Sequence, residues 1–531
     1  MNFTAHRLPY EQTGYFSRLV NGYLNGDDFL KSFYAHPVSL AGIAAAIRAR
    51  EQFPTVRDTL VQVLQDQYKD QPANELVNDS IRQLLNQNTF TVTTAHQPAI
   101  FTGSLYFIYK ILHVIKTAAD LSVKFPGKNF LPIYYMGSED ADLEELGHIY
   151  LDQEKISWNT SQTGAVGRMS TSGLEEILQR IEGEFADQPH GPELFQLLKT
   201  CYLESDTVQS ATFKLLHHLF GDYGLIVLIA DDPRLKTLMK PVFRDDLFSH
   251  KPFQITRQTV HRLSEQYPAQ ANPREINLFY MKDNTRERID LKEGQYKVHN
   301  SGISFSRETL EAELEAYPER FSPNVILRGL FQETILPDIA FVGGGGETAY
   351  WLELKSLFDH YRVPYPVLIL RNSFLLIRKP WRIKMEKAGL SPETVFQKGE
   401  LLLEQTVKSH SSNQLNLEKE IRQLEAYYHS LKQITEAVDE TLSQHVESLR
   451  SKALKGVCEL EKKILRAEKR NFADAGARIQ EVRAALFPLE GLQERIENFI
   501  PWYAIYGKSF FDLIYKNSLT LEGEFVVLEE Q

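Results

Sequence analysis

The chain has 531 residues, 43% hydrophobic and 24% charged, with a formal net charge of −11. That length supports two or three domains around a large core, and the acidic balance argues against a nucleic-acid partner, which usually calls for a basic footprint. Two cysteines, Cys201 and Cys458, are too few and too far apart for a disulfide framework or a cysteine-based zinc site.

The first residues, MNFTAHRLPYEQTGYF, lack the apolar region of a secretory signal. No apolar run approaches the roughly 20 residues of a membrane span. The expectation is a cytoplasmic protein with no membrane partner and no bound metal.

In chain order, FTVTT (90–94) reads as a short β-branched strand. It gives way to His96-Gln97-Pro98, then Thr102-Gly103, then a helical pattern through Tyr106, Ile108, Ile111, Leu112 and Ile115. FLPIYYM (130–136) is a second strand, ending at the acidic run Ser138-Glu139-Asp140-Ala141-Asp142-Leu143-Glu144-Glu145. LIVLIA (225–230) is a third, ending at Asp231-Asp232-Pro233. Between about 272 and 305 apolar and polar residues alternate around Asp283-Asn284, which predicts a β-hairpin insertion.

A fourth strand, 339–342, runs into Gly343, Gly344, Gly345 and Gly346, then Glu347 and a helix carrying Tyr350, Trp351, Leu354 and Leu357. PVLIL (366–370) is a fifth, ending at Arg371-Asn372-Ser373. Short apolar strands alternating with helices predict an α/β fold with a parallel sheet covered on both faces.

After about residue 379 the composition shifts to Glu, Lys, Gln and Leu. Leu417, Ile421, Leu424, Tyr428, Leu431, Val438, Leu442 and Leu449 follow spacings of three and four, with Thr435 and His445 filling two seam positions. This predicts a long coiled-coil helix; because a lone helix would expose a continuous apolar stripe, it must pack against a returning helix, a second subunit or both, and a homodimer built mainly through this region is expected. Pro488 and Leu492-Gln493-Glu494-Arg495 mark the chain's return. The expected division is an α/β core over 1–385, a coiled-coil dimerisation domain over 386–510, and a C-terminal segment over 511–531 that rejoins the core.

In open α/β sheets ligands bind beyond the carboxyl ends of the strands. Here those ends carry His96/Gln97, the acidic run, the glycine loop and Arg371. The glycines let a ligand approach the backbone, and free N–H groups at the next helix favour an anion. The loop is neither a Walker A motif nor the dinucleotide fingerprint. Glu347 suits an acceptor, a base or a cap. His96 suits a general acid–base, a phosphate ligand or a hydrogen-bonded structural role. Glu139 and Asp140 suit a metal, a substrate amine or sugar hydroxyls, and carboxylates there also favour a helix N-terminus. Arg371 suits a carboxylate or phosphate, or a salt bridge.

These segments, in this order, resemble the bacillithiol-biosynthesis cysteine-adding enzymes. Tyr23-Leu24-Asn25-Gly26-Asp27 is similar to the family's YLNGD, TAHQPAIFTGSLY (94–106) to TGQQAGLFTGPLY, and SEDADLEELGH (138–148) to SEDHDFEEINH. VILRGLFQETILPDIAFVGGGGETAYW (325–351) is similar to LRPLxQDxLLPxxAxVGGPGExAYW, and LRNSF (370–374) to PRxSF. His96, Ala141 and Gly345 depart from the family's Gln, His and Pro.

The resemblance implies a Rossmann-like, nucleotidyltransferase-like core with inserted connecting elements, and a coiled coil that mediates dimerisation. It implies a ligase that adds L-cysteine to the amino group of glucosaminyl-malate in the last step of bacillithiol biosynthesis. Forming an amide from a free carboxylate needs activation, so ATP/ADP is the expected nucleotide. On this reading His96, Gln97, Glu139, Asp140 and Glu347 are catalytic. Substrate or nucleotide falls to Thr102, Gly103, Tyr106, Ser138, Asp142, Gly343, Gly344, Gly345, Gly346, Tyr350, Arg371 and Ser373. Arg495, Asn498 and Tyr503 form a candidate second nucleotide site, since Arg495 and Asn498 at i, i+3 share a helix face. The alternatives are a nucleotidyltransferase acting on another small sugar or acid, and a non-catalytic coiled-coil ligand-binding protein.

Overall fold

Five buried strands form the central sheet of this computed structural model, which describes residues 2–531. They are β1 (Thr89–His96), β2 (Asn129–Met136), β3 (Ile226–Ile229), β4 (Asp338–Gly343) and β5 (Val367–Leu370). All neighbours pair in parallel, and their order across the sheet is β5-β4-β1-β2-β3. Helices cover both faces, so the strands read as continuous apolar or β-branched runs rather than alternating ones. The order is that of a Rossmann half, whose chain reverses direction across the sheet between β1 and β4. That reversal opens a crevice at the carboxyl edge, between His96 and the glycine loop.

Three helices that flank the sheet supply side chains to this crevice: α1 (Tyr106–Lys124), α2 (Val325–Ile335) and α3 (Gly345–Leu352). The long α1 packs on β1 and β2 and on the helix Lys508–Asn517, which explains why nearly all of its first half is buried.

Residues 278–323 add a five-stranded sheet of antiparallel pairs. Its first hairpin turns at Asp283-Asn284, between the paired Lys282 and Thr285, with Asp283 at φ 53°. A third sheet joins the two ends of the chain. Phe3–Pro9 pairs antiparallel with Glu524–Glu530, which also pairs in parallel with Phe374–Ile377.

The long coiled-coil helix expected through Leu417–Leu449 is instead two helices, α4 (Glu418–Glu436) and α5 (Leu442–Asn471). They lie antiparallel. The Leu417 amide donates to Glu461 (2.9 Å), Arg450 pairs with Glu425 (3.7 Å) and Ser443 Oγ donates to Glu436 (2.9 Å). The heptad spacing continues across the turn, so periodicity alone hides it. The turn's own chemistry is local. Thr435 Oγ1 donates back to Leu431 O and Lys432 O, and Asp439 accepts from the Thr441 amide and hydroxyl. Such side-chain bonds compete with helix continuation. A further helix, α6 (Ala473–Leu486), returns the chain toward the core. Among the described residues no helix is long and apolar enough to cross a membrane.

Candidate functional site

A cavity of about 490 Å³ opens at the carboxyl edge of the sheet, within the range of small-molecule sites. Its floor is the end of β1 (Ala95, His96, Gln97), the end of β2 (Met136, Gly137, Glu139, Asp140) and Ala230-Asp231 after β3. Gly344, Gly345 and Gly346 form one wall as α3 begins. Gly344 is the N-cap and Thr348 N bonds back to Gly344 O, so the Gly345 and Gly346 amides have no helical acceptor. The glycines are small for a reason: a Cβ on Gly345 would stand 3.1 Å from Val20 Cγ2, and one on Gly343 2.8 Å from the Phe341 ring.

Glu347 takes the capping role open to it. Its carboxylate accepts from the Gly344 amide at 2.8 Å and pairs with Lys110 of α1. Lys110 is buried and also donates to Ala95 O (2.9 Å), tying the end of β1 to the glycine loop. Burial lowers the Lys110 pKa while Glu347 opposes that shift.

His96 stands between the Tyr106 and Phe107 rings, and its Nε2 lies 3.3 Å from the Tyr106 hydroxyl. Burial, reinforced by Lys110, Arg371 and Arg328, holds its pKa well below the usual value. The imidazole is therefore neutral at physiological pH, suited to hydrogen bonding and to accepting a proton only transiently.

The acids after β2 are mostly engaged. Glu139 pairs with the buried Lys236, which also donates to Phe321 O (2.8 Å). Burial raises the Glu139 pKa and Lys236 opposes that shift. Asp140 accepts from Gln97 Nε2 (3.0 Å) and lies 3.6 Å from Arg286 of the inserted hairpin. Asp231 takes a two-pronged bond from Arg168, at 2.7 and 2.8 Å. Glu145 lines the cavity and no cation lies within ion-pair distance of it among the described residues. Burial, with Asp142 and Asp140 adding to it, raises its pKa.

Five cationic side chains reach the cavity: Lys110, Arg286, Arg328, Arg371 and Arg495. Arg371 is bound to the buried Glu494 at 2.7 Å. Arg328, on α2, donates to the Tyr350 hydroxyl and to Gln332 Oε1 (3.2 Å). Neither Arg328 nor Arg495 has a carboxylate within ion-pair distance among the described residues. These two guanidiniums give the cavity an unneutralised positive character inside an acidic protein, and a guanidinium matches carboxylate or phosphate geometry.

The cavity thus gathers His96, Gln97, Tyr106, Glu139, Asp140, Gly344, Gly345, Gly346, Glu347, Tyr350, Arg371 and Arg495 from the sequence reading. Other expected residues lie outside it. Asp142 instead caps the short helix Leu143–Leu146, accepting from Glu145 N at 3.0 Å. Ser138 is buried beneath Gly167, whose added Cβ would stand 2.7 Å from the Ser138 Cβ. Ser373 is buried and bonded to Arg371 and Glu494. Gly343 belongs to β4, and Thr102 is buried in the turn before α1.

The second nucleotide site does not assemble. Arg495 belongs to the cavity just described, while Asn498 is fully buried and donates to Phe101 O (2.9 Å) and Gly103 O (2.5 Å). Tyr503 is buried, with its hydroxyl donating to Glu193 (3.2 Å). Asn498 supports a turn that needs it: Phe101, Thr102 and Gly103 all have positive φ, at 48°, 66° and 63°. Two of these are non-glycine residues in a region that costs about 1 kcal/mol or more each.

Sequence reasoning missed Lys110, Arg286, Arg328, Gln270 and Asn324, all of which line the cavity. Lys110 and Arg328 did leave a signal. Each is a lone charge in an otherwise apolar helical stretch, YFIYKILHV and VILRGLF, and a buried charge requires a partner or a ligand.

Two family models match the chain: the bacillithiol biosynthesis BshC N-terminal Rossmann-like domain over residues 3–372, and the BshC C-terminal coiled-coil domain over residues 374–530. A protein of Flavobacterium johnsoniae named "Putative cysteine ligase BshC" is 38% identical, covering 98% of this chain and 99% of its own. Relatives of the same name from Christiangramia forsetii and Flavobacterium psychrophilum are 38% and 37% identical, each over 98% of this chain. The chain belongs to the BshC family of bacillithiol biosynthesis.

Proposed function

We propose that this BshC-family ligase joins the carboxyl group of L-cysteine to the amino group of glucosaminyl-malate, the last step of bacillithiol biosynthesis. The observation that carries the reading is the mixed charge of one cavity. Arg328 and Arg495 lack carboxylate partners among the described residues, and Glu145 lines the same space without a cation. An acceptor with a malyl dicarboxylate and a sugar amine requires both signs. The two guanidiniums receive the malyl carboxylates. Glu145 and Asp140 hold the amine, and the neutral His96 imidazole is the nearby group able to take a proton from it as it attacks.

Amide formation from a free carboxylate is uphill at neutral pH, and ATP supplies the activation when bound. The unpaired amides of Gly345 and Gly346 at the start of α3 are suited to its phosphates. The C–N bond would form as the amine attacks the cysteine carboxyl carbon, the phosphate-bearing group leaving with the C–O electron pair and the amine proton passing to His96. The test is reconstitution: purified protein with L-cysteine, glucosaminyl-malate and ATP, read by mass spectrometry of derivatised thiols. Formation of bacillithiol is expected. A deletion strain with normal bacillithiol and no accumulated glucosaminyl-malate would overturn the proposal.

A further inference from the structure

We infer that Glu494 is a positioning residue for the reaction, supplied by the segment that returns from the helical hairpin and acting through Arg371. Arg371 has five N–H donors to place. Nη1 donates to Asn372 O and to Ser373 Oγ, both at 3.0 Å, and Nη2 donates to Glu494 Oε1 at 2.7 Å. Nε has no acceptor among the described residues. It lies 3.6 Å from where a Cβ on Gly344 would stand, at the cavity wall. Glu494 therefore fixes one side of the guanidinium and leaves the other side facing the ligand space, above the Tyr106 ring at 5.0 Å.

Glu494 is itself over-determined. It is fully buried, and besides Arg371 it accepts from Ser373 Oγ (3.1 Å) and the Phe374 amide (3.2 Å). Arg371, Ser373 and Glu494 thus close a ring of hydrogen bonds. The neighbours of Glu494 extend the same grip. Gln493 Oε1 accepts from the Leu376 amide (2.9 Å), Arg495 O from Ser104 Oγ (2.9 Å), and Glu497 O from the Leu105 amide (2.7 Å). Residues 493–498 therefore bridge the segment that carries Arg371 and the turn that starts α1, with its Tyr106 and Lys110. Buried, fully partnered carboxylates orient their ligands in the way second-sphere groups orient metal ligands and catalytic side chains.

The activity readout rests on the proposed reaction. In the full-length protein Glu494→Gln is expected to lower kcat/KM for the acceptor about 30-fold. In an Arg371→Met background the same change is expected to alter kcat/KM less than about twofold, because the carboxylate works through the guanidinium. Losses that multiply independently would overturn the inference.

A binding measurement separates the inference from the reaction. Arg371→Ala opens a guanidinium-sized gap beside Ser373 and Glu494, so free guanidinium should bind it by calorimetry and raise its melting temperature. Arg371→Ala/Glu494→Gln should lose that response. Equal responses overturn the positioning role whether or not the wild type makes an amide. A selective response with no product from the wild type overturns the reaction alone. If Arg371→Ala does not fold, Arg371→Lys serves: Lys should retain activity only while Glu494 is present, and retention without Glu494 overturns the role.

Discussion

Arg328→Met tests the charge logic of the cavity directly. Arg328 donates to the Tyr350 hydroxyl and to Gln332 Oε1 (3.2 Å), with its guanidinium 5.7 Å from the Tyr135 ring centroid. None of these partners is a carboxylate, so methionine, of similar length, leaves no buried anion behind. The stability loss is that of hydrogen bonds from a charged donor, about 1.5–3 kcal/mol. Ligand binding should suffer as well. A charge-assisted bond to a carboxylate or phosphate is worth about 1.5–3 kcal/mol, which at about 1.4 kcal/mol per decade is roughly a 10- to 150-fold loss of affinity. Arg371→Met provides the contrast. It strands the buried Glu494 and should cost about 3–5 kcal/mol of stability. Calorimetric titration with glucosaminyl-malate, alongside thermal unfolding of both variants, makes the comparison. Wild-type affinity in a folded Arg328→Met protein would refute the assignment of Arg328 to an anion. A stability loss equal to that of Arg371→Met would refute the claim that Arg328 lacks a structural counter-charge.

Lys110→Met removes the link between Ala95 O and Glu347. It should destabilise the fold by about 3 kcal/mol, the low end for a broken buried pair because Glu347 is 22% exposed; a shift under about 1 kcal/mol in denaturant titration would contradict the link. Asp246 is fully buried with only the Asn277 amide (2.6 Å) and Asn277 Nδ2 (2.9 Å) as donors, and burial pushes its pKa up to about 7. Because the folded value lies above the unfolded one, this contribution is complete below about pH 4 and is lost as pH rises through about 7. The melting temperature should therefore fall between about pH 5 and pH 7.5, less steeply in Asp246→Asn; an unchanged slope in the variant would refute the origin. The hairpin of α4 and α5 leaves Ile434 61%, Val438 80% and Leu460 52% exposed, a surface that a second copy of the chain would cover. Sedimentation equilibrium should show a dimer that Ile434→Glu/Val438→Glu, on that exposed surface, dissociates, and a wild-type monomer at micromolar concentration would end that expectation.

Strand ends were legible because a parallel sheet needs little beyond runs such as FLPIYYM and PVLIL to declare itself, and its topology brings all their carboxyl ends to one edge. His96, Gln97, Glu139, Asp140, the glycine loop and Arg371 were found for that reason. What strand ends cannot reveal is which charges cancel. Glu139 looked available for a substrate amine, but Lys236 arrives from 97 residues away to pair with it. Arg371 looked available for an anion, but Glu494 arrives from 123 residues away. Asp142 lay in the same acidic run and went to a helix cap, a purely local use. The coiled coil was legible, but its turn was not: the spacing stays in phase through Val438 and Leu442, and only the polar turn chemistry at 435–441 distinguishes one helix from two.

The net charge of −11 conceals the feature on which the proposed chemistry depends. The acids at the sheet edge meet cations brought from other elements: Lys236 for Glu139, Arg286 for Asp140, Arg168 for Asp231, Lys110 for Glu347. What remains uncancelled is a small residue of the total, namely Arg328 and Arg495 on the positive side and Glu145 on the negative side. A ligand entering the cavity meets that remainder and not the sum. This is why a lone arginine in an apolar helix carried more functional information than an acidic run of five carboxylates. Within the run Glu139 and Asp140 meet cations and Asp142 caps a helix, leaving Glu145, whereas a guanidinium facing a crevice without a carboxylate within reach has its strongest counter-charge still to come, from the ligand.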